Sequence, residues 1–191
     1  MTSSHLESSK QPLLQFYISP GPAHTILAQS CISTLLQLNN SVKNDLWGFP
    51  LAEYTAYTWV DHLQVDGIST QIRIGMESLF DPEKPHFNAW VDLQKAFWID
   101  VKFNTPLCFA AFSGFHDIVK HLVITRLQDI NAVGSNSYTP LLVAQSGGHL
   151  RIMQLLLGQG AYMDCRNDKG VTPLFVAMQD MQHDIVRLLI E

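Results

Sequence analysis

The sequence predicts an all-α chain: an irregular helical region, then a solenoid of stacked helix pairs. Three observations predict it. The tripeptide Thr-Pro-Leu stands at 105–107, 139–141 and 172–174, at spacings of 34 and 33 residues. The tetrapeptide His-Asp-Ile-Val stands at 116–119 and again at 183–186, an offset of 67 that equals the two spacings together. Before residue 100 this period is absent, yet apolar residues still return every three or four positions, as amphipathic helices require. A fixed period of this length marks one supersecondary unit stacked on copies of itself.

Residues 1–15 read as a disordered N-terminus; MTSSHLESSK is polar and has no apolar core of the kind a secretory signal carries. Residues 16–100 read as a helical linker or capping region. Pro20 and Pro22 precede an apolar-patterned helix over 23–38, with Leu27, Cys31, Leu35 and Leu38 on one face, Ala28, Ile32 and Leu36 beside them, and Asn39-Asn40 ending it. Pro50 starts a second helix running to about Leu63, with Ala52, Ala56, Trp59 and Val60 inward. A third runs from about Ile68 to Phe80 with Ile72, Met76 and Leu79 in one stripe. Asp81 to Pro85 is a loop, and a fourth helix covers Phe87 to about Phe97.

Residues 101–191 hold about three repeat units, the last incomplete. In each, Thr caps a first helix and Pro takes its first turn, where a missing N–H costs nothing. Gly114 and Gly148 punctuate the turn to a second helix, which is amphipathic. The columns agree in size: Ala110, Ala144 and Ala177 align, as do Leu122, Leu156 and Leu189. The stretch GQGAYMDCRNDKGVTPL, residues 158–174, has the glycines and carboxylates of a ligand loop, but its carboxylates follow turn chemistry and not a metal-loop spacing.

The order G-A-x-x-(N/D)-x-x-(N/D)-x-x-G-x-T-P-L, at Gly160–Leu174, resembles the ankyrin repeat, and the resemblance covers roughly 103–191. It implies that the connection is a β-hairpin finger, with Gly160 closing the preceding helix, Asn167, Asp168, Lys169 and Gly170 turning at its tip, and Asp164 satisfying local backbone donors. The family's TPLH histidine is replaced by Cys108, Leu142 and Phe175. The stack is therefore expected to lean more on apolar contact than on histidine hydrogen bonds between repeats. Separately, SPGPAHTILAQSCISTLLQL, FPLAEYTAYTWVDH and FDPEKPHFNAWV are similar to the stretch joining a NACHT-type NTPase module to ankyrin repeats in large fungal STAND receptors. That similarity implies a C-terminal receptor piece, with the NTPase module missing upstream of Met1 and no capping repeat after Glu191.

Several functions find no support. No GxxxxGK[ST], GxGxxG or GxSxG motif occurs. His116 and His121 are five apart, off the spacing that sets two ligands on one helix face, and Glu53, Asp61 and Glu77 are scattered. His24 and Cys31 share a helix face but stand too far apart along it for a nucleophile and its base. Trp59, Trp90 and Trp98 read as core anchors. The chain is therefore read as not an enzyme, with no catalytic, cofactor-binding or metal-binding residue and no cofactor. A net charge of −5 with only 12 Lys+Arg argues against nucleic-acid partners, and no apolar run approaches the length of a membrane span. Cys31, Cys108 and Cys165 are odd in number and widely separated, which suggests an intracellular setting, the cytoplasm ahead of the nucleus.

The reading is a protein–protein interaction scaffold whose partner is another protein. Its contact positions are expected at the finger tips (Asn136, Ser137, Tyr138, Asp168, Lys169) and beyond the first-helix alanines (Phe112, Ser113, Ser146), with Tyr138 and Phe112 as aromatic anchors. The alternatives are a free-standing ankyrin adaptor and, in another class, an enzyme with an unrecognised site in the N-terminal helices.

Overall fold

The computed structural model of the chain describes residues 20–37, 54, 59–60, 62–63, 70–97 and 105–190. The expected disorder of 1–15, the end of the first helix at Asn39-Asn40, most of the helix expected from Pro50, and Trp98 lie outside those residues.

Among the described residues, the helices α1 (Pro20–Leu35), α2 (Thr70–Leu79) and α3 (His86–Phe97) precede the repeats. On α1 the buried stripe is Ala28, Cys31, Ile32 and Leu35, while Leu27 is 40% exposed. The face is thus rotated from the one expected around Leu27. The cause is the close crossing of α2, where a Cβ at Gly75 would lie 2.6 Å from Ile32 Cγ2. Only a residue without a side chain lets Ile32 seat there. On α2, Ile72, Met76 and Leu79 are buried, as their spacing predicts.

Three helix pairs follow: α4 (Pro106–Phe112) with α5 (His116–Lys120), α6 (Pro140–Ser146) with α7 (Leu150–Gly158), and α8 (Pro173–Gln179) with α9 (His183–Ile190). Thr105, Thr139 and Thr172 each cap a first helix, accepting from the backbone N–H of Cys108, Leu142 and Phe175 at 3.2, 3.3 and 3.2 Å. Such a cap satisfies one of the orphan donors of the helix start. Ala110, Ala144 and Ala177 are fully buried where first helices pack side by side. Second helices close each pair through Leu122, Leu156 and Leu189.

The π-helical turn His121–Thr125 continues α5. It accounts for the unequal spacing. A π turn takes up one extra residue without breaking the helix, and it overlaps the stretch from Leu122 (aligned with Leu156, 34 on) to Leu127 (aligned with Gly160, 33 on), where the longer spacing must absorb its extra residue.

Among the described residues there is no strand, so the expected β-hairpin connections are turns instead. Each finger is closed by one main-chain bond across its base, Gly134 N–H to the Tyr138 carbonyl at 2.8 Å and Asn167 N–H to the Val171 carbonyl at 3.2 Å. The tips are too short to add the second rung a ladder needs, and Asn136 and Ser137 take positive φ (54° and 58°).

The N-terminal helices join the first pair through an aromatic cluster. Trp90 meets Phe109 edge-on at 4.4 Å between centroids, and Trp59 lies 6.3 Å from Phe109 and 5.6 Å from Phe115. Beside it, Arg126 donates to the buried Asp81 carboxylate at 2.7 Å. Among the described residues no helix is long and apolar enough to cross a membrane.

Candidate protein-binding surface

The predicted contact residues fall into two groups at opposite ends of the first helices. A seven-residue helix spans roughly 10 Å at 1.5 Å per residue, so the groups flank a short ridge. One group is the finger tips, and the structure ties two neighbouring tips together. Asp168 N–H donates to the Asn136 carbonyl at 3.2 Å, and the Ser137 hydroxyl donates to the Asp168 carboxylate. Asn136, Asp168 and Lys169 are exposed. Tyr138 differs: it is half-buried and packs against the core, so its ring belongs as much to the stack as to the surface.

The other group is the ends of α4 and α6. Phe112 and Ser146 are exposed, and Ser113 is half-buried as the C-cap of α4. His149 organises this edge. Its Nε2 lies 2.8 Å from the Phe112 carbonyl oxygen, which can only accept, so Nε2 carries the proton. The imidazole fills space that side chains at Gly114 and Gly147 would occupy, since a Cβ at either would come within 2.7 and 2.6 Å of it. The link joins the first two pairs on the side opposite the fingers.

The TPLH column behaves partly as expected. Leu142 is buried and apolar, whereas Cys108 keeps a weak polar link, its S–H donating to the Tyr138 carbonyl at 3.7 Å. Burial pushes the Cys108 thiol up to about 11. Burial also raises Cys165, whose sulfur accepts from the Thr139 hydroxyl at 3.0 Å. Both sulfurs are therefore neutral packing groups near pH 7, not thiolate nucleophiles. Among the described residues no three His, Cys, Asp or Glu side chains gather to hold a metal.

The structure assigns the backbone-satisfying role expected of Asp164 to two asparagines. Asn167 Oδ1 accepts from Lys169 and Val171 N–H, each at 3.0 Å. Asn131, which holds the Asp164 position one finger earlier, accepts from Tyr162 N–H at 2.8 Å and donates to the Gly160 carbonyl at 3.3 Å. Asn131 thus links consecutive fingers, and its match to the N/D column was the sequence signal for it. Phe175 and Met178 of α8 are exposed apolar positions that the sequence reading did not select.

Paired helices with capped Thr-Pro starts, buried alanine columns and bonded finger turns define a repeat scaffold. Residues 96–191 match the family model for ankyrin repeats in three copies, and the chain belongs to that family. It is 37% identical over 85 residues to ankyrin repeat-containing protein P1E11.10 of Schizosaccharomyces pombe, covering 44% of this chain and 41% of that protein. It is 39% identical over 71 residues to human ankyrin repeat domain-containing protein 17, covering 36% of this chain and 3% of that one. A third similarity, to azaphilone pigments biosynthesis cluster protein L of Monascus ruber, is 26% identical over 179 residues and covers 80% of this chain and 37% of the relative. The chain thus spans well under half the length of each of these relatives. An ankyrin stack is a protein–protein interaction module, and that is the class of function the chain has.

Proposed function

We propose that the chain binds another protein along the ridge formed by the finger tips and the far ends of the first helices, and that it acts without catalysing a reaction. The observation that carries this reading is the bonded pair of tips. Asn136, Ser137 and Asp168 present one continuous polar edge from two repeats, so a partner meets a surface already ordered before binding. Phe112 supplies an aromatic contact at the other end, with Ser113 and Ser146 beside it; Tyr138 and Lys169 complete the finger side. A photo-crosslinking residue placed at Asn136 or Ser146 should capture the same protein from cells, and one placed at Asp184 on α9 should not. Equal capture from all three positions would reject the ridge.

Within that reading, residues 16–100 form a helical cap on the repeats of 101–191, and the whole is the ligand-sensing part of a NACHT–ankyrin receptor, working inside the cell. Two observations support this. The segments around Pro20, Tyr54 and Pro85 are similar to such linkers, and coverage of 80% of the chain by the Monascus ruber relative requires a match that runs into residues before 96. Sequencing transcripts across the Met1 codon tests it. An in-frame upstream GxxxxGK[ST] loop supports the receptor, and transcription starting just before Met1 supports a free-standing adaptor. The cap is tested separately: a 101–191 fragment should melt well below the full chain, and equal melting temperatures would reject it.

A further inference from the structure

On the side of the molecule formed by the second helices lies a half-open cavity of about 340 Å³. Three separate parts of the chain build it: α2 of the N-terminal region, the Gly114 turn with the start of α5, and the start of α7. Its floor is apolar, with Met76 and Ile118 fully or almost fully buried and Phe115 largely so. Its rim is cationic. Arg73 enters from α2 and Arg151 from α7.

Among the described residues this positive charge meets few acceptors. Among the described residues Arg151 has no acceptor. Arg73, among those same residues, meets Glu77, one helical turn on, at 3.9 Å, with the arginine exposed and the carboxylate half-buried. A long i,i+4 pair with its arginine in solvent is worth little, so the guanidinium can take a better acceptor. The one carboxylate in the lining, Asp117, lies 3.4 Å from His116 Nδ1. The lining therefore carries two guanidinium groups against one carboxylate, on a chain whose net charge is −5. Guanidinium forks match a carboxylate in shape as well as charge, and an apolar pocket with a few convergent polar groups is the usual form of a ligand site.

We propose that this cavity is a second recognition site, which takes an acidic peptide segment of a partner protein: a carboxylate between Arg73 and Arg151, with a neighbouring apolar side chain on Met76, Phe115 and Ile118. It rests on the reading that the chain binds protein; it adjoins the Phe112–Ser113 end of the ridge but lies away from the finger tips, and it needs neither Asn136 nor Asp168. Because the walls come from the N-terminal region and from the first two repeats, a segment seated here also bridges those parts.

The test uses the full chain and two capped tetrapeptides, Leu-Glu-Glu-Leu and its uncharged counterpart Leu-Gln-Gln-Leu. In ¹H–¹⁵N spectra the acidic peptide should shift the amides of Gly114 to Ile118 saturably, and the shifts should weaken in high salt. Arg151→Gln should weaken binding by ~10-fold or more, the scale of losing a charge-assisted hydrogen bond. Arg73→Gln should act in the same direction. Arg187→Gln, the same change of charge on the exposed face of α9, should leave the affinity unchanged, and melting curves check that each variant is folded. Equal binding of the uncharged peptide, shifts that miss α2, Gly114 to Ile118 and the start of α7, or a loss with Arg187→Gln as large as with Arg151→Gln would each overturn the proposal. Loss of crosslinks at Asn136 and Ser146 with peptide shifts intact would reject the ridge and leave this site standing.

Discussion

The two ends of the repeat stack are built from the same helix-pair pattern but meet different surroundings. At the first pair, Phe109 and Phe115 are met by Trp59, Phe80 and Trp90, and the outward face of the pair becomes core. At the third pair, Phe175 is 54% exposed and Met178 56%, while the same columns one repeat earlier, Leu142 and Gln145, are 1% and 0% exposed. The middle pair thus buries a glutamine where the last pair exposes a methionine. Burial in this molecule is set by which neighbour a column meets, not by the residue in it, as a stack of nearest-neighbour contacts requires.

The sharpest way to break that comparison is to truncate one aromatic at each end. Trp90 is fully buried, so Trp90→Ala should cost about 3–5 kcal/mol. Phe175→Ala should cost well under half of that, because its side chain is already largely in water. Urea unfolding of the two variants decides, and losses of similar size would mean the ends are equally packed. A smaller effect tests the polar contact beside the aromatic cluster. Arg126→Ala leaves the buried Asp81 carboxylate, among the described residues, with Lys84 at 3.9 Å and the Glu83 N–H donating at 3.1 Å. Removing one partner of a buried pair costs about 3–5 kcal/mol, and the partial exposure of Arg126 brings the expectation here to about 2. Asp81→Asn combined with Arg126→Ala should then lose less than the sum of the two single changes, measured by the same unfolding curves.

Much of this was legible in the sequence, for a physical reason. Stacking makes each repeat solve the same packing problem, so the alanine and leucine columns, the Thr caps and the Gly turns had to recur at one period. The π turn was legible only as an arithmetic remainder, the extra residue between the first two Thr-Pro-Leu triplets. What was hidden depends on contacts between parts with no common period. The rotation of α1 toward Ile32 is set by Gly75, 43 positions later. The cavity brings Arg73 to Arg151 from different elements, and neither residue stands in a motif. The finger tips were predicted as separate turns, and their joining through Asp168 was not, because a turn signal describes only its own four residues.

The Cys108 column offers a test by pH. The folded thiol is raised from 9.0 to about 11, so the folded state holds the proton more tightly than the unfolded chain does. The stability this supplies is fully present below pH 9 and is lost as pH rises toward 11. The stability difference between the parent chain and Cys108→Val should shift against the parent by about 1 kcal/mol per pH unit across that window. Leu142 occupies the same column without an ionisable group, so Leu142→Val should show no such slope. A flat difference for Cys108→Val would mean that the thiol reaches solvent.

The smallest expected effect concerns the turn between the two helices of each pair. Gly114 and Gly148 take φ of 80° and 72° there, and Met181 stands in the same column with φ of 55°. A side chain in the left-handed region carries a steric cost of about 1–2 kcal/mol that glycine avoids. Met181 is 77% exposed, so little packing offsets that cost. Met181→Gly should therefore stabilise the third pair, by about 1 kcal/mol or less once the added freedom of an unfolded glycine is counted. Gly148→Ala should destabilise, because a Cβ there has room, with Gln182 Nε2 no nearer than 3.7 Å, and backbone strain alone remains to be measured. Opposite signs at one column would show that the last pair keeps the turn geometry of the others against its own sequence, held by the bond from Gln182 N–H to the Ala177 carbonyl at 2.9 Å. If Met181→Gly proves destabilising, the turn is held by contacts of the methionine itself, and the equivalence of the third pair with the second fails at that position.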